Sequence, residues 1–217
     1  MQHPGNAGQI AYWDTVAGAR DCTLEPPLDV LLEYLPKDAK ILDFGCGYGR
    51  SLVALAGLGF SDLTGFDPSP AMIARGKREH PEFDLRLFDA PALPVADGSF
   101  DAALLVGVLT AVAEDEEQRR LMTELRRALR PGGLALVCDF PLQGDARNRE
   151  RYERYAAKYG RYGVFEVEGG GVARHHDPAW LDALTSGFER LHTLTLDAVT
   201  LTGKPAKAIS LVVRKPD

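Results

Sequence analysis

Three glycines at alternate positions, Gly45, Gly47 and Gly49, stand in the segment ILDFGCGYGR. A strand that enters such a triplet and leaves it as a helix must turn tightly. Glycine permits the turn and lets a ligand approach the backbone closely. Alone, the triplet could be only a strand–helix turn. Two carboxylates give it chemistry. Asp67 ends the apolar run before it, eighteen residues past Gly49, and Asp89 ends the next, Leu85 to Phe88. A carboxylate has two oxygens with which to accept both hydroxyls of a ribose. An acid on the neighbouring strand end can accept from an adenine amino group. Their simpler roles are a helix cap for Asp67 and a loop acid for Asp89. The GxGxG spacing differs from the GxGxxG of dinucleotide binders, and no GxxxxGK[ST] is present.

A second set of candidates follows residue 140. Arg174-His175-His176-Asp177 comes after the glycine run Gly169-Gly170-Gly171 and just before a helix start. Histidine titrates near neutrality, so His175 or His176 is a candidate general base for an acceptor. The alternative is structural, with Asp177 capping a helix begun by Pro178. Tyr152, Tyr155, Tyr159 and Tyr162 recur at helical spacing. Tyr152 and Tyr155 suit packing onto the core, and Tyr159 and Tyr162 suit the acceptor. Arg147, Arg151 and Arg154 lie on a neighbouring face. Such a run is usually solvated and paired, but one member, Arg154 among them, could clamp an acidic acceptor.

The elements that must position these residues read as follows. Residues 10–20 and Leu28 to Leu35 suit helices. Lys40 to Phe44 is a buried strand, and a helix follows the glycines to about Leu58. Leu63 to Phe66 is a second strand, and Asp67-Pro68-Ser69-Pro70 opens a helix that ends near His80. Leu85 to Phe88, Phe100 to Val106 and Leu134 to Cys138 are three more strands. A helix over Asp115 to Leu129 separates the last two. Phe165 to Ala173 is a glycine-interrupted β excursion, Trp180 to Leu184 a short helix, and Leu191 to Thr195 and Ile209 to Val213 two closing strands. Alternating strands and helices imply a parallel sheet.

Composition narrows the function. The 217 residues carry 45% hydrophobic and 26% charged side chains, the make-up of a folded domain with its own core. A net charge of −6, from 25 basic and 31 acidic residues, disfavours nucleic acid as partner. The longest apolar stretch, Ala102 to Ala113, is shorter than the roughly 20 residues of a membrane span. Cys22, Cys46 and Cys138 form neither a disulfide framework nor a metal pattern, and the start has no signal-peptide form. The expected setting is cytoplasmic, with no metal.

These residues resemble a known family. ILDFGCGYGR is similar to the first motif of class I, Rossmann-like S-adenosylmethionine-dependent methyltransferases, and GFDPSPAMIARGK to their second-strand motif. DAPALPVADGSFDAALLVGVL and ELRRALRPGGLALVCDF resemble the following two. The likeness covers roughly residues 38–140 and is to the branch that methylates small molecules. It implies a doubly wound, mostly parallel seven-stranded sheet with helices on both faces. In that arrangement residues 1–36 form a helical lid, 38–140 the cofactor core, 141–178 the acceptor segment, and 179–217 a helix and edge strands. Asp43, Gly45 and Gly47 would surround the methionine part of S-adenosylmethionine, and Val106 and Gly107 would line the same side. Asp67 would hold the ribose, Pro68 and Met72 the adenine face, and Asp89 and Ala90 its edge. Tyr12 and Trp13 match a position that lids the cofactor, or else pack on the core. The Asn-Pro-Pro-aromatic motif of nucleobase amine methylation is absent after the fourth strand. The implied reaction is methyl transfer to O, N or S of a small acceptor, leaving S-adenosylhomocysteine, by a monomer or homodimer. The alternatives are a non-methylating, aminopropyltransferase-like enzyme and a catalytically silent cofactor-binding module.

Overall fold

The computed structural model describes residues 4–88 and 92–217, with side chains from residue 7 onward. Asp89 and Ala90 therefore lie outside the described residues. The strands are β1 (Lys40–Phe44), β2 (Asp62–Asp67), β3 (Asp84–Leu87), β4 (Phe100–Val106), β5 (Leu129–Asp139), β6 (Val164–Glu166), β7 (Val172–Arg174), β8 (Glu189–Val199) and β9 (Pro205–Arg214). Seven of them form one sheet in the order β3-β2-β1-β4-β5-β9-β8. The first five of these are parallel, and β9 runs against both of its neighbours. The strand order reverses beside β1, which opens a crevice above the carboxyl ends of β1 and β4. The pair β6–β7 is a separate antiparallel ribbon.

Buried-strand residues alternate between two cores. Ile41, Leu104, Leu136 and Val212 point to one face, with Leu52 and Leu55 of α2 (Arg50–Gly57) and Ile73 of α3 (Pro70–Glu79). Leu42, Leu105, Val137 and Val213 point to the other, with Met122 and Leu125 of α4 (Asp115–Ala128) and Leu181 of α6 (Pro178–Leu184). The N-terminal helix α1 (Pro4–Ala17) packs on α3, and α5 (Ala146–Tyr159) on β6.

Three expectations change in detail. Leu28–Glu33 is a 3-10 rather than an α-helix. β5 begins at Leu129, because Arg130-Pro131-Gly132-Gly133 is absorbed as an irregularity in its pairing with β4 instead of ending before the strand. β8 and β9 are far longer than Leu191 to Thr195 and Ile209 to Val213. They form a twisted hairpin whose outer part extends past the sheet, and Thr23 donates to the carbonyl of Val199 there at 2.5 Å.

The crossing of α3 over β3 needs a bare backbone at Gly76. A Cβ there would stand 2.4 Å from Leu85 Cδ1 and 2.9 Å from the Tyr48 carbonyl oxygen. The second neighbour is backbone and cannot rotate away. Gly76→Ala is expected to destabilise the chain by about 1–3 kcal/mol, the usual cost of overpacking. Urea unfolding measures it, and an unchanged midpoint would refute the tight crossing.

Candidate active site

The glycine loop closes over the end of β1. Gly45, Gly47 and Gly49 all have positive φ, at 86°, 55° and 92°. The amides of Gly45 and Cys46 both donate to the Phe66 carbonyl, at 2.7 and 3.1 Å, which ties the loop to the end of β2. A Cβ on Gly45 would meet Val108 Cγ2 at 2.4 Å, so this position admits glycine alone. A Cβ on Gly47 would find nothing nearer than Met72 Sδ at 3.9 Å, so a cradle stays open above it.

Two carboxylates stand beside that cradle. Asp67 accepts the Gly47 amide at 2.9 Å on one oxygen and the Ser69 amide at 2.8 Å on the other. Burial pushes its pKa up to about 6; the two amides oppose the rise and Asp14 adds to it. The cap of α3 is Ser69, whose hydroxyl accepts from the Met72 amide, so Asp67 is not spent on capping. Asp43 is buried, and its Oδ2 is enclosed with no hydrogen-bond partner among the described residues. Burial raises its pKa to about 7, Arg50 opposing and Asp67 reinforcing. An unpartnered carboxylate oxygen beside a glycine cradle is what a bound cation would satisfy. These residues fit the methionine and ribose parts of S-adenosylmethionine.

The other expected neighbours stand around this loop. Met72 is buried with Val16, Ala17 and Tyr48, and Tyr12 and Trp13 pack against that cluster. Tyr12 and Trp13 meet edge to face at 5.4 Å. Pro68 and Val106 are half-buried. Gly107 has φ 66° and donates to the Cys138 carbonyl at 2.8 Å.

The helix α1 is bonded at both ends. Asp14 of α1 accepts the Ser69 hydroxyl at 2.5 Å and the Ala71 amide at 3.1 Å. Gln9 exchanges two 3.0 Å hydrogen bonds with the main chain of Val172 in β7. Neither Asp14 nor Gln9 stands out in the sequence, because both sit in a short helix with little amphipathic pattern.

Both histidines are buried. His176 is fully buried, with Nδ1 at 3.2 Å from the Phe140 carbonyl oxygen and Nε2 at 2.9 Å from Gln118 Nε2. A carbonyl can only accept and an amide nitrogen only donate. Nδ1 therefore carries the proton, and Nε2 shares the two Gln118 amide hydrogens with two carbonyls. Burial, with Arg174 nearby, lowers its pKa to about 3. A fully buried ring with no charged form near neutrality is not placed to take a proton from an acceptor. His175 Nδ1 lies 2.6 Å from the Tyr152 hydroxyl, and burial holds its pKa well below the histidine range. This geometry does not favour the general-base role for either ring: both are buried, and burial holds both neutral.

The network behind His176 shapes the turn that follows β4. Gln118 Nε2 also lies 2.9 Å from the Leu109 carbonyl and 2.7 Å from that of Val112, and its Oε1 accepts from Trp180 Nε1 at 2.6 Å. Asp139, at the end of β5, accepts the Thr110 and Phe140 amides at 3.0 and 2.7 Å, and burial pushes its pKa to about 7. The sequence held a signal for Gln118. It is a polar residue one turn before Met122 on an apolar stripe. Asp139 ends its strand as Asp67 does.

The acceptor candidates spread apart. Arg154 is exposed and pairs with Glu150 at 2.6 Å, the common fate of an i,i+4 pair on a solvated helix. Tyr159 donates to Glu166 at 2.9 Å. Tyr162 is exposed and lies edge-on to Tyr152 at 5.1 Å. None of the three is brought to the glycine loop, because the buried face of α5 is the one bearing Asn148 and Tyr152. Asp177 caps α6, accepting the Ala179 amide at 2.9 Å.

Known proteins share this arrangement. Residues 42–137 match a family model described as a methyltransferase domain. A demethylmenaquinone methyltransferase of Renibacterium salmoninarum is 37% identical over 101 residues, which cover 46% of this chain and 41% of that protein. A tRNA (carboxymethyluridine(34)-5-O)-methyltransferase of Mus musculus is 30% identical over 125 residues, 58% of this chain and 18% of that protein. The chain thus spans well under half the length of these curated relatives. A SAM-dependent methyltransferase structure from Methanosarcina mazei superposes with a TM-score of 0.80 at 25% identity, covering 86% of this chain and 97% of that one. The core of the chain thus matches methyltransferase domains, and the chain has the fold of S-adenosylmethionine-dependent methyltransferases.

Proposed function

We propose that this protein moves a methyl group from S-adenosylmethionine to an O, N or S atom of a small-molecule acceptor and releases S-adenosylhomocysteine. The observation that carries the reading is the pair of buried carboxylates flanking the glycine cradle, one of them with an unpartnered oxygen. When bound, the cofactor supplies an electrophilic methyl on a sulfonium. Asp43, Gly45 and Gly47 hold its methionine part, with Val106 and Gly107 alongside. Asp67 takes the ribose hydroxyls, and Pro68, Met72, Asp89 and Ala90 take the adenine. Tyr12 and Trp13 cover it, and residues 141–178 wall the acceptor side.

The chain's own contribution is alignment and exclusion of water, worth several kcal/mol in a displacement at carbon. The buried, neutral histidines favour an acceptor whose nucleophile needs no proton removed by the protein. The net charge of −6 favours a small molecule over nucleic acid. Three free cysteines suit a reducing, cytoplasmic setting, and no helix of the described residues is long and apolar enough to cross a membrane.

Calorimetry tests the cofactor. S-adenosylmethionine and S-adenosylhomocysteine should both bind, and NAD should not. Asp67→Ala should weaken binding by about 1.5–3 kcal/mol, the range for hydrogen bonds to a charged group. NAD binding more tightly than either would overturn the proposal.

A further inference from the structure

His175 has one nitrogen assigned and one left over. The Gln143 amide donates to the Tyr152 hydroxyl oxygen at 3.1 Å. The same oxygen lies 2.6 Å from His175 Nδ1. With the hydroxyl as donor in this bond, Nδ1 accepts and the ring proton sits on Nε2; with Nδ1–H donating to the second lone pair of the oxygen, the tautomer is reversed. Nε2 forms no hydrogen bond among the described residues and is not one of the fully enclosed unpartnered atoms. His175 exposes 5% of its surface, and its Nε2, a donor in the first of these tautomers, has no partner among the described residues.

Its surroundings fix both orientation and sign. The ring stacks on Phe140 at 5.5 Å and meets Phe165 edge-on at 5.0 Å. Phe140 directly follows Asp139 at the end of β5, two residues past Cys138, which pairs with Val106 of β4. His175 is therefore one aromatic ring away from the strand ends that line the crevice. Arg151 lies over Phe165 with its guanidinium carbon 3.5 Å from the ring centre. Among the described residues it forms no ion pair, and its Nε is enclosed without a partner. The charges facing His175 are those of Arg151, Arg147, His176 if protonated, and Asp145, with the arginines acting more strongly than the acid.

We propose that His175 Nε2–H, held in this tautomer by Tyr152 and backed by Arg151, is a recognition donor for an oxyanion of the acceptor. The substrate class is a small organic molecule carrying a phenolate, enolate or carboxylate oxygen. This rests on the methyltransferase reading, and it replaces proton removal by hydrogen-bond donation at the same residue. An already ionised oxygen needs no base, which agrees with two buried, neutral histidines. Burial keeps His175 uncharged, and the positive field of Arg151 and Arg147 that adds to this is the one that would attract the anion.

The experiment uses the full chain labelled with ¹⁵N-histidine and saturated with S-adenosylhomocysteine. Benzoate serves as the oxyanion probe and benzyl alcohol as its uncharged counterpart. The expected spectrum shows His175 protonated at Nε2 across pH 5–8, with that signal moving saturably on addition of benzoate. Benzyl alcohol should bind at least tenfold more weakly. His175→Phe should lose about tenfold or more in benzoate affinity, the effect of one charge-assisted hydrogen bond. His175→Gln, which can still donate, should stay within about threefold. Tyr152→Phe should allow the other tautomer and weaken benzoate without moving S-adenosylhomocysteine affinity. A proton on Nδ1, or benzoate affinity indifferent to His175→Phe and His175→Gln, would overturn the proposal. Failure to bind S-adenosylhomocysteine in the same samples would instead strike the methyltransferase reading.

Discussion

Replacing Asp43 by Asn is expected to weaken S-adenosylmethionine binding by about 10²-fold while making the cofactor-free protein more stable. The two effects have one cause. A buried carboxylate with an unpartnered oxygen costs the folded state free energy until a ligand satisfies it. Its pKa is raised by burial to about 7 from 3.8. Between those values the folded chain holds more protons than the unfolded one, so stability falls as pH rises through the window. The loss is complete above about pH 7, and a shift of this size is on the order of a few kcal/mol. Asp43→Asn should flatten that part of the profile and raise stability at pH 8 by about 1–3 kcal/mol. Cofactor binding should also release protons between about pH 5 and 7, because a cationic ligand favours the ionised carboxylate. Denaturation across pH, and calorimetry in buffers of different ionisation enthalpy, measure the two. A variant that binds normally and unfolds with the native pH dependence would remove Asp43 from the site.

Gln118→Leu is expected to be among the most damaging single changes outside the glycine loop. The side chain accepts from Trp180 Nε1, and its two amide hydrogens are shared among the Leu109 and Val112 carbonyls and His176 Nε2. Leucine fills the space and leaves those buried groups unpaired. Each unsatisfied group costs about 1–3 kcal/mol, and relaxation keeps the total to about 3–5 kcal/mol. For a chain of this size that lowers the melting temperature by roughly 10 °C. Gln118→Glu should be at least as damaging when ionised, since it still accepts from Trp180 but sets a buried carboxylate oxygen against the Leu109 and Val112 carbonyls. Thermal unfolding checks both. A leucine variant within about 1 kcal/mol of the native protein would show that the network is dispensable.

The contrast between these two residues explains what the sequence made legible. Asp43 and Asp67 were readable because strand, glycine triplet and helix start form a contiguous pattern with chemistry at fixed places. The five parallel strands were readable for the same reason, as each is a short apolar run closed by a turn signal. The acceptor side was not. Its residues come from α1, α5, the β6–β7 ribbon and the turn after β4, and contact across such distances leaves no local spacing. Tyrosine periodicity gave the helix and its inward-facing Tyr152, but not the exposed position of Tyr162 beyond its end. Tyr152 faces inward to His175, while Tyr162 and Arg154 face solvent. The histidine pair looked reactive because residue type suggests a base, whereas its state is set by partners far away in sequence: Gln118 for His176 and Tyr152 for His175. The length of the β8–β9 hairpin was hidden because its outer half is polar on one side and carries weak apolar alternation.

The most direct measurement of the central claim is transfer itself. The purified chain is incubated with S-adenosylmethionine carrying an isotopically labelled methyl group and a fractionated pool of small metabolites. Products are then read by mass spectrometry. The account predicts a labelled small-molecule product, formed together with S-adenosylhomocysteine and lost in Asp43→Asn and Asp67→Ala. A cofactor that binds but yields no labelled product from any fraction, or label appearing only on added RNA, would contradict it.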